Sequence, residues 1–215
     1  MILGVGYLQF FGKSPQLNEL IEFEHSSGVM NKYKFDEIGL KVGDTIGDIY
    51  LFDRKQGAKV NLKELMRKDS KPTALITGSY TCDVTRLHMK SIDSLYSIYR
   101  QDYDFFLVHT LEAHPLASPS PYSTELMPWE ATRNIEAGIA AKQPSTLGER
   151  KKLAEQWIQE ENIQPPVLID NAQNEFWKQV GQGPSMAIIL SASGEVLYKE
   201  GWFNPETFAS FLGPQ

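Results

Sequence analysis

Two short apolar runs dominate the pattern of hydrophobic and polar positions. TALITG, Thr73 to Gly78, is entered through Pro72, and DFFLVHTL runs from Asp104 to Leu111. Both are continuous and rich in branched and aromatic side chains, which predicts strands buried on both faces. Between them Leu87, Ile92, Leu95, Ile98 and Tyr99 recur at helical spacing. This predicts an amphipathic helix from about Thr81 to Arg100. A strand, loop, helix and strand in that order make a parallel pair joined by a right-handed crossover.

Upstream, alternation through Ile49, Leu51 and Val60 around Gln56-Gly57 predicts a hairpin, with a short helix starting at Leu62. The spacing of Leu17, Leu20, Ile21 and Phe23 suits a short helix over Ser14 to Phe23, and the polar stretch to Lys34 reads as a connector. Downstream, residues 114–145 are rich in proline and serine without a period, which marks a long insertion of the kind that is functional or mobile. A helix over Thr146 to Glu161 follows, capped by Ser145, then a strand at PPVLID and a short helix over Asn174 to Val180. SMAIILSAS and EVLYKE form a terminal hairpin turned at Ser193-Gly194, and a last helix begins at Asn204-Pro205-Glu206 with Asn204 as its cap. The order is that of an α/β, thioredoxin-like fold, a central mixed sheet flanked by helices. Residues 1–40 are an N-terminal extension and 41–215 the domain, with the insertion after the second core strand.

Composition narrows the classes of partner. With 41% hydrophobic and 22% charged residues over 215 positions, the chain supports one sizeable core. A formal charge of -6 without any basic run offers no field for nucleic acid or acidic lipid. The apolar start MILGVGYLQFF is too short to span a bilayer and lacks the charged flank and cleavage site of a signal peptide. One cysteine cannot form an internal disulfide, which leans towards a cytoplasmic location and leaves any oxidised form to be resolved from outside the chain. A single cysteine and scattered histidines give no usual metal spacing, so no metal and no bound cofactor are expected.

That cysteine sits in GSYTCDVTR, where the first buried strand ends and a helix opens. Ligand chemistry in open α/β sheets gathers at such strand ends. A helix N-terminus favours the thiolate of Cys82, Arg86 one turn on adds to this, and Asp83 opposes it. At the end of the neighbouring strand, HTLEAHP carries His109, Glu112 and His114. Strand alternation sets Glu112 and His114 on one face beside Cys82, with His114 as proton shuttle and Glu112 orienting it or its substrate. His25 and His88 read as surface residues. Gly183-Pro184 precedes the SMAIIL strand, and a cis bond at Pro184, facing the cysteine, is expected from the layout.

These stretches resemble a known family. GSYTC is similar to the active-site stretch of the iodothyronine deiodinases, in which glycine, serine, a variable residue and threonine lead into a catalytic selenocysteine; Cys82 stands in its place. SLYSIYRQDYDFFLVHTLEAHP looks like the family's next helix and strand, with the same Glu-Ala-His-Pro, and VLIDNAQNEFW and GEVLYKEGWFNPE resemble its carboxyl-terminal third. The likeness runs from about Val42 to Leu212. Asp83-Val84, His109 and Ser185-Met186 depart from the family's prolines, tyrosine and Glu-Arg pair at those places. The resemblance implies a peroxiredoxin-related domain that removes iodide reductively from an aromatic ring. In it Cys82 is the nucleophile, Glu112 and His114 the proton relay, and Ser79, Tyr80, Thr81, His109 and Pro184 supporting or substrate-binding residues. It also implies an external thiol reductant, such as a dithiol or thioredoxin-like system, and a homodimer.

Two other readings keep the same fold. A one-cysteine thiol peroxidase would pass through a sulfenic acid at Cys82; Ser79 fits its pattern and Leu75 does not. A non-enzymatic binding module would use Cys82 only as part of a pocket wall.

Overall fold

The computed structural model describes residues 17–53, 58–67, 71–125 and 127–213. The apolar start of the chain and the Gln56-Gly57 turn lie outside the described residues. In chain order the elements are α1 (Ser27–Met30), a 3-10 turn (Phe35–Glu37), β1 (Tyr50–Asp53), β2 (Ala58–Asn61), α2 (Leu62–Arg67), β3 (Thr73–Gly78), α3 (Asp83–Leu87) and α4 (Met89–Tyr99). They continue with β4 (Asp104–His109), α5 (Thr132–Ala137), α6 (Leu147–Glu160), β5 (Val167–Ile169), α7 (Glu175–Val180), β6 (Ala187–Leu190), β7 (Val196–Glu200) and α8 (Pro205–Leu212).

The strands form one seven-stranded mixed sheet in the order β2-β1-β5-β4-β3-β6-β7. β3, β4 and β5 are mutually parallel, and the outer strands join antiparallel. The two apolar runs lie at its centre because every residue of a central strand faces a covered layer. Ala74, Ile76, Phe105 and Leu107 point to one side, against Met89, Ile92 and Leu95 of α4, Trp157 of α6 and Phe208 of α8. Leu75, Val108 and Leu168 point to the other, against Leu62 and Met66 of α2 and Phe176 and Val180 of α7. A third cluster closes the carboxyl end of the sheet and contains Cys82, Phe35, Tyr122 and Trp177.

Several expectations are corrected. Of the helix expected over Ser14 to Phe23, the first three residues lie outside the described residues and Leu17 to Phe23 is not helical: Leu20 bridges Thr146, and Ile21 N–H donates to Ser145 O, because this segment pairs along the entrance to α6. The connector that follows contains α1, capped by Ser26. The cap of α6 is Thr146 in a reciprocal box with Glu149, while Ser145 Oγ donates to the Glu149 carboxylate at 2.6 Å. The long helix after β3 is two helices meeting at His88, whose ring turns aside to pack edge-on against Phe203 at 5.8 Å. His88 and His25 are both half-buried, His25 against the carbonyl of Ser123. The insertion, which has no hydrophobic period, contains α5.

Candidate active site

Gly78 ends β3 under close packing. A Cβ there would lie 2.7 Å from Thr85 Cγ2 and 2.9 Å from Trp157 Cη2, so only glycine lets α3 and α6 approach the strand end. The chain then turns through Ser79, Tyr80 and Thr81 to Cys82, which is the N-cap of α3 and is 1% exposed. Cys82 N–H donates to Ser79 O, and Ser79 Oγ accepts from Ala113 N–H at 3.3 Å. Tyr80 points away from the cysteine, its hydroxyl donating to Glu160 at 2.7 Å; burial, with Glu160 beside it, pushes its pKa up to about 12.

Thr81 is held from both sides. Its N–H and hydroxyl donate to Glu112 Oε2 at 2.7 and 2.6 Å, and its carbonyl accepts from Asn134 Nδ2 at 2.8 Å. Glu112 is wholly buried, and its other oxygen lies 3.1 Å from Nε2 of the equally buried His109. The strand alternation that separated His109 from Glu112 does not hold here, because β4 ends at His109 and the chain bends. Glu112 therefore braces the cysteine loop from behind with His109, whose ring packs tilted against Trp157 at 5.6 Å. His114 instead meets Asp83: Nε2 is 3.3 Å from Asp83 Oδ1 and Nδ1 is 3.0 Å from Trp129 O. Both imidazole nitrogens thus face acceptors.

The electrostatics at sulfur run against the helix N-terminus. Burial pushes the Cys82 thiol up to about 11; the Thr85 hydroxyl, donating to Sγ at 3.2 Å, pulls down, and Asp83 adds to the rise. Arg86 gives no help, since its guanidinium is turned to Glu161 at 2.7 Å and Asn134 at 3.0 Å. Asp83 is held below the usual carboxylate range by His114 first and by Arg133, 2.9 Å away.

Cys82, Asp83 and His114 line a cavity of about 580 Å³. The rest of its wall is largely aromatic: Tyr33, Phe35, Tyr122, Trp129 and Trp202. Phe35 meets Trp202 at 5.2 Å and Tyr122 at 6.1 Å, and the Tyr122 hydroxyl accepts from Trp177 Nε1 at 2.9 Å. Pro184 also lines it, but the described residues contain no cis peptide, so the expected cis bond is not present; the Gly183 N–H faces Met186 Sδ at 3.1 Å. Of the residues singled out in the sequence, Cys82, His114 and Pro184 reach the cavity. Ser79, Thr81, Glu112 and His109 form the layer behind it, and Tyr80 faces the helices. Sequence reasoning missed Asn134, Arg133 and the aromatic wall, and assigned Asp83 only as a charge opposing the thiolate. The tryptophans of MPWE and GWF were the visible signal for that wall.

The sequence matches no protein-family model and no curated protein. Solved structures do resemble the fold. A protein provisionally described as a protein disulfide isomerase, from Bacteroides thetaiotaomicron, aligns at a TM-score of 0.52 and 15% identity over 80% of this chain and 86% of that one. A protein provisionally described as the thiol:disulfide interchange protein DsbE, from Chlorobium tepidum, aligns at 0.52 and 14% identity over 81% and 100%. The thioredoxin domain of a thiol-disulfide oxidoreductase from Bacteroides vulgatus aligns at 0.50 and 15% identity over 81% and 100%. Likeness at such identities establishes architecture, and the architecture is thioredoxin-like: a central mixed sheet flanked by helices, with Cys82 where the first central strand gives way to a helix.

Proposed function

We propose that the protein is a thiol-dependent oxidoreductase in which Cys82 reductively removes halide, iodide in the first instance, from an aromatic substrate. The observation that carries this reading is the cavity itself: one thiol, an Asp83–His114 pair and a wall of aromatic rings share about 580 Å³. That volume lies in the range of small-molecule sites, and offset or edge-on contacts with such rings favour a flat aromatic guest. The sequence resemblance to deiodinases supports the same chemistry. The similar structures, described as disulfide isomerase and interchange proteins, support thiol redox in general.

The steps balance as follows. The thiolate form of Cys82, a small fraction of the buried thiol at neutral pH, attacks the halogen; a sulfur–iodine bond forms, the carbon–iodine bond breaks, and its electron pair stays on the ring carbon, which takes a proton from His114. An external thiol then attacks the sulfenyl iodide, releasing iodide and a proton and leaving a mixed disulfide at Cys82. A second thiol resolves it, so that two thiols are oxidised for each ring reduced. Asp83 holds the His114 ring in place through Nε2 and Trp129 O holds it through Nδ1. Because this chain has a single cysteine, resolution comes from outside it.

Iodide release from mono- and di-iodinated phenols with dithiothreitol tests the reading, run beside Cys82→Ser and with hydrogen peroxide as a parallel substrate. Release that disappears in Cys82→Ser is the expected result. Peroxide consumption with no halide released would replace the reading with a thiol peroxidase, and activity retained in Cys82→Ser would remove Cys82 from either.

A further inference from the structure

On the insertion side, the helix that covers Cys82 is itself held by little apolar surface; Trp129 before it packs edge-on against His114 at 4.6 Å, and Ile139 after it packs on the core. In α5 the buried residue is Asn134, with Ala131 at the N-cap, while Ile135 is 64% exposed. A helix of six residues cannot sustain itself in isolation, and this one has almost no hydrophobic face to dock. Its attachments are polar. Asn134 Nδ2 donates to Thr81 O at 2.8 Å and Asn134 Oδ1 accepts from Arg86 Nη1 at 3.0 Å, so both ends of the amide are committed. Arg133 pairs with Asp83 at 2.9 Å, and Trp129 O faces His114 Nδ1. The chain is pinned on either side of this piece: Met127 O accepts from Ser120 N–H, and Ala141 O accepts from Leu116 N–H. Gly138 ends α5 at φ 67 with open space around it.

We propose that Asn134 is a positioning residue that latches α5 over Cys82, and that residues 128–140 form a lid whose release opens the thiol to an external thiol. The amide is suited to the task because it donates to a carbonyl and accepts from a guanidinium at once, and an apolar side chain would take the donor from Thr81 O and leave the Arg86 guanidinium to Glu161. Glu112 braces Thr81 from the opposite side, so loss of the latch frees one side of the cysteine loop and leaves the other fixed. Closed, the lid covers the sulfur; open, it admits a thiol that could not otherwise reach a group 1% exposed. Around that sulfur, Asp83 and Thr85 belong to its own helix and Tyr122 comes from the insertion, while His114, Glu130 and Arg133 line the same cavity. The proposal concerns access and holds whether or not the substrate is halogenated.

Alkylation of the full chain by iodoacetamide tests it without any enzymatic assay. In Asn134→Ala the rate at Cys82 at pH 8 is expected to rise on the order of tenfold, and the pH midpoint to fall from about 11 towards the ordinary 9.0 as burial is relieved. Asn134→Gln, which keeps the amide, should recover part of the wild-type rate. Hydrogen exchange of the wild-type protein gives a second, variant-free measurement: residues 131–139 should exchange well before β3. Wild-type rate and midpoint in a folded Asn134→Ala, or protection of 131–139 equal to that of β3, would overturn the proposal. Should Asn134→Ala fail to fold, the exchange measurement decides alone.

Discussion

Cys82 is a thiol kept protonated by its surroundings. Burial raises it to about 11, so alkylation of the wild-type protein should accelerate steadily from pH 8 to pH 10 and reach its midpoint near 11. The same shift has a stability counterpart. The folded state holds this proton more tightly than the unfolded chain, so the thiol's contribution is intact below pH 9 and is lost as pH climbs from 9 to 11. Denaturant titrations should show wild type losing about 2–3 kcal/mol relative to Cys82→Ser across that interval. Behind the thiol, Glu112→Ala leaves the Thr81 N–H and hydroxyl without their carboxylate. A loss of about 3 kcal/mol is expected by chemical denaturation, with Glu112→Gln, which keeps one acceptor, losing less. Cys82 and His114 were legible because cysteine and histidine are rare in this chain, and Glu112 because it shares the short EAHP motif with His114. Who pairs with whom was not legible. The His114–Asp83 contact spans 31 positions and depends on how the loop bends after His109, where the strand period stops.

At the scale of elements, the parallel pair β3 and β4 was readable because both runs are apolar throughout, and a strand covered on two faces leaves that trace. The split between α3 and α4 was not readable, since both halves continue one helical period and only the turn of His88 towards Phe203 divides them. α5 was invisible for a related reason: with one buried side chain it has no hydrophobic stripe to detect. Gly78 shows how an element boundary fixes the site. Gly78→Ala places a methyl group 2.7 Å from Thr85 Cγ2 and 2.9 Å from Trp157 Cη2, neither of which has room to yield. A cost of about 2 kcal/mol in thermal or denaturant unfolding is expected, together with slower turnover because Thr85 also holds Sγ.

For the whole molecule, the cavity is assembled from distant parts of the chain. Tyr33 and Phe35 come from the segment before the sheet, Tyr122 and Trp129 from the insertion, and Trp202 from the turn after β7. Lys199 Nζ donates to Ile38 O and to Leu40 O, and Gly201 N–H to Asp36, so the early segment is strapped across the last hairpin. Phe35 is the fully buried joint among the three. Phe35→Ala should cost about 4 kcal/mol in unfolding free energy and enlarge the cavity, weakening aromatic binding more than it alters thiol alkylation. Among the described residues no helix is long and apolar enough to cross a membrane.

The central claim is that Cys82 takes the halogen from an aromatic ring and passes its oxidation to an outside thiol. A single-turnover experiment tests it most directly: protein in excess over an iodinated phenol, one equivalent of glutathione, and peptide mass analysis timed against iodide release. A glutathione mixed disulfide on the Cys82 peptide is expected to rise in step with iodide and with the dehalogenated phenol. Iodide released while Cys82 remains an unmodified thiol throughout, or no iodide released from any iodinated phenol, would contradict it.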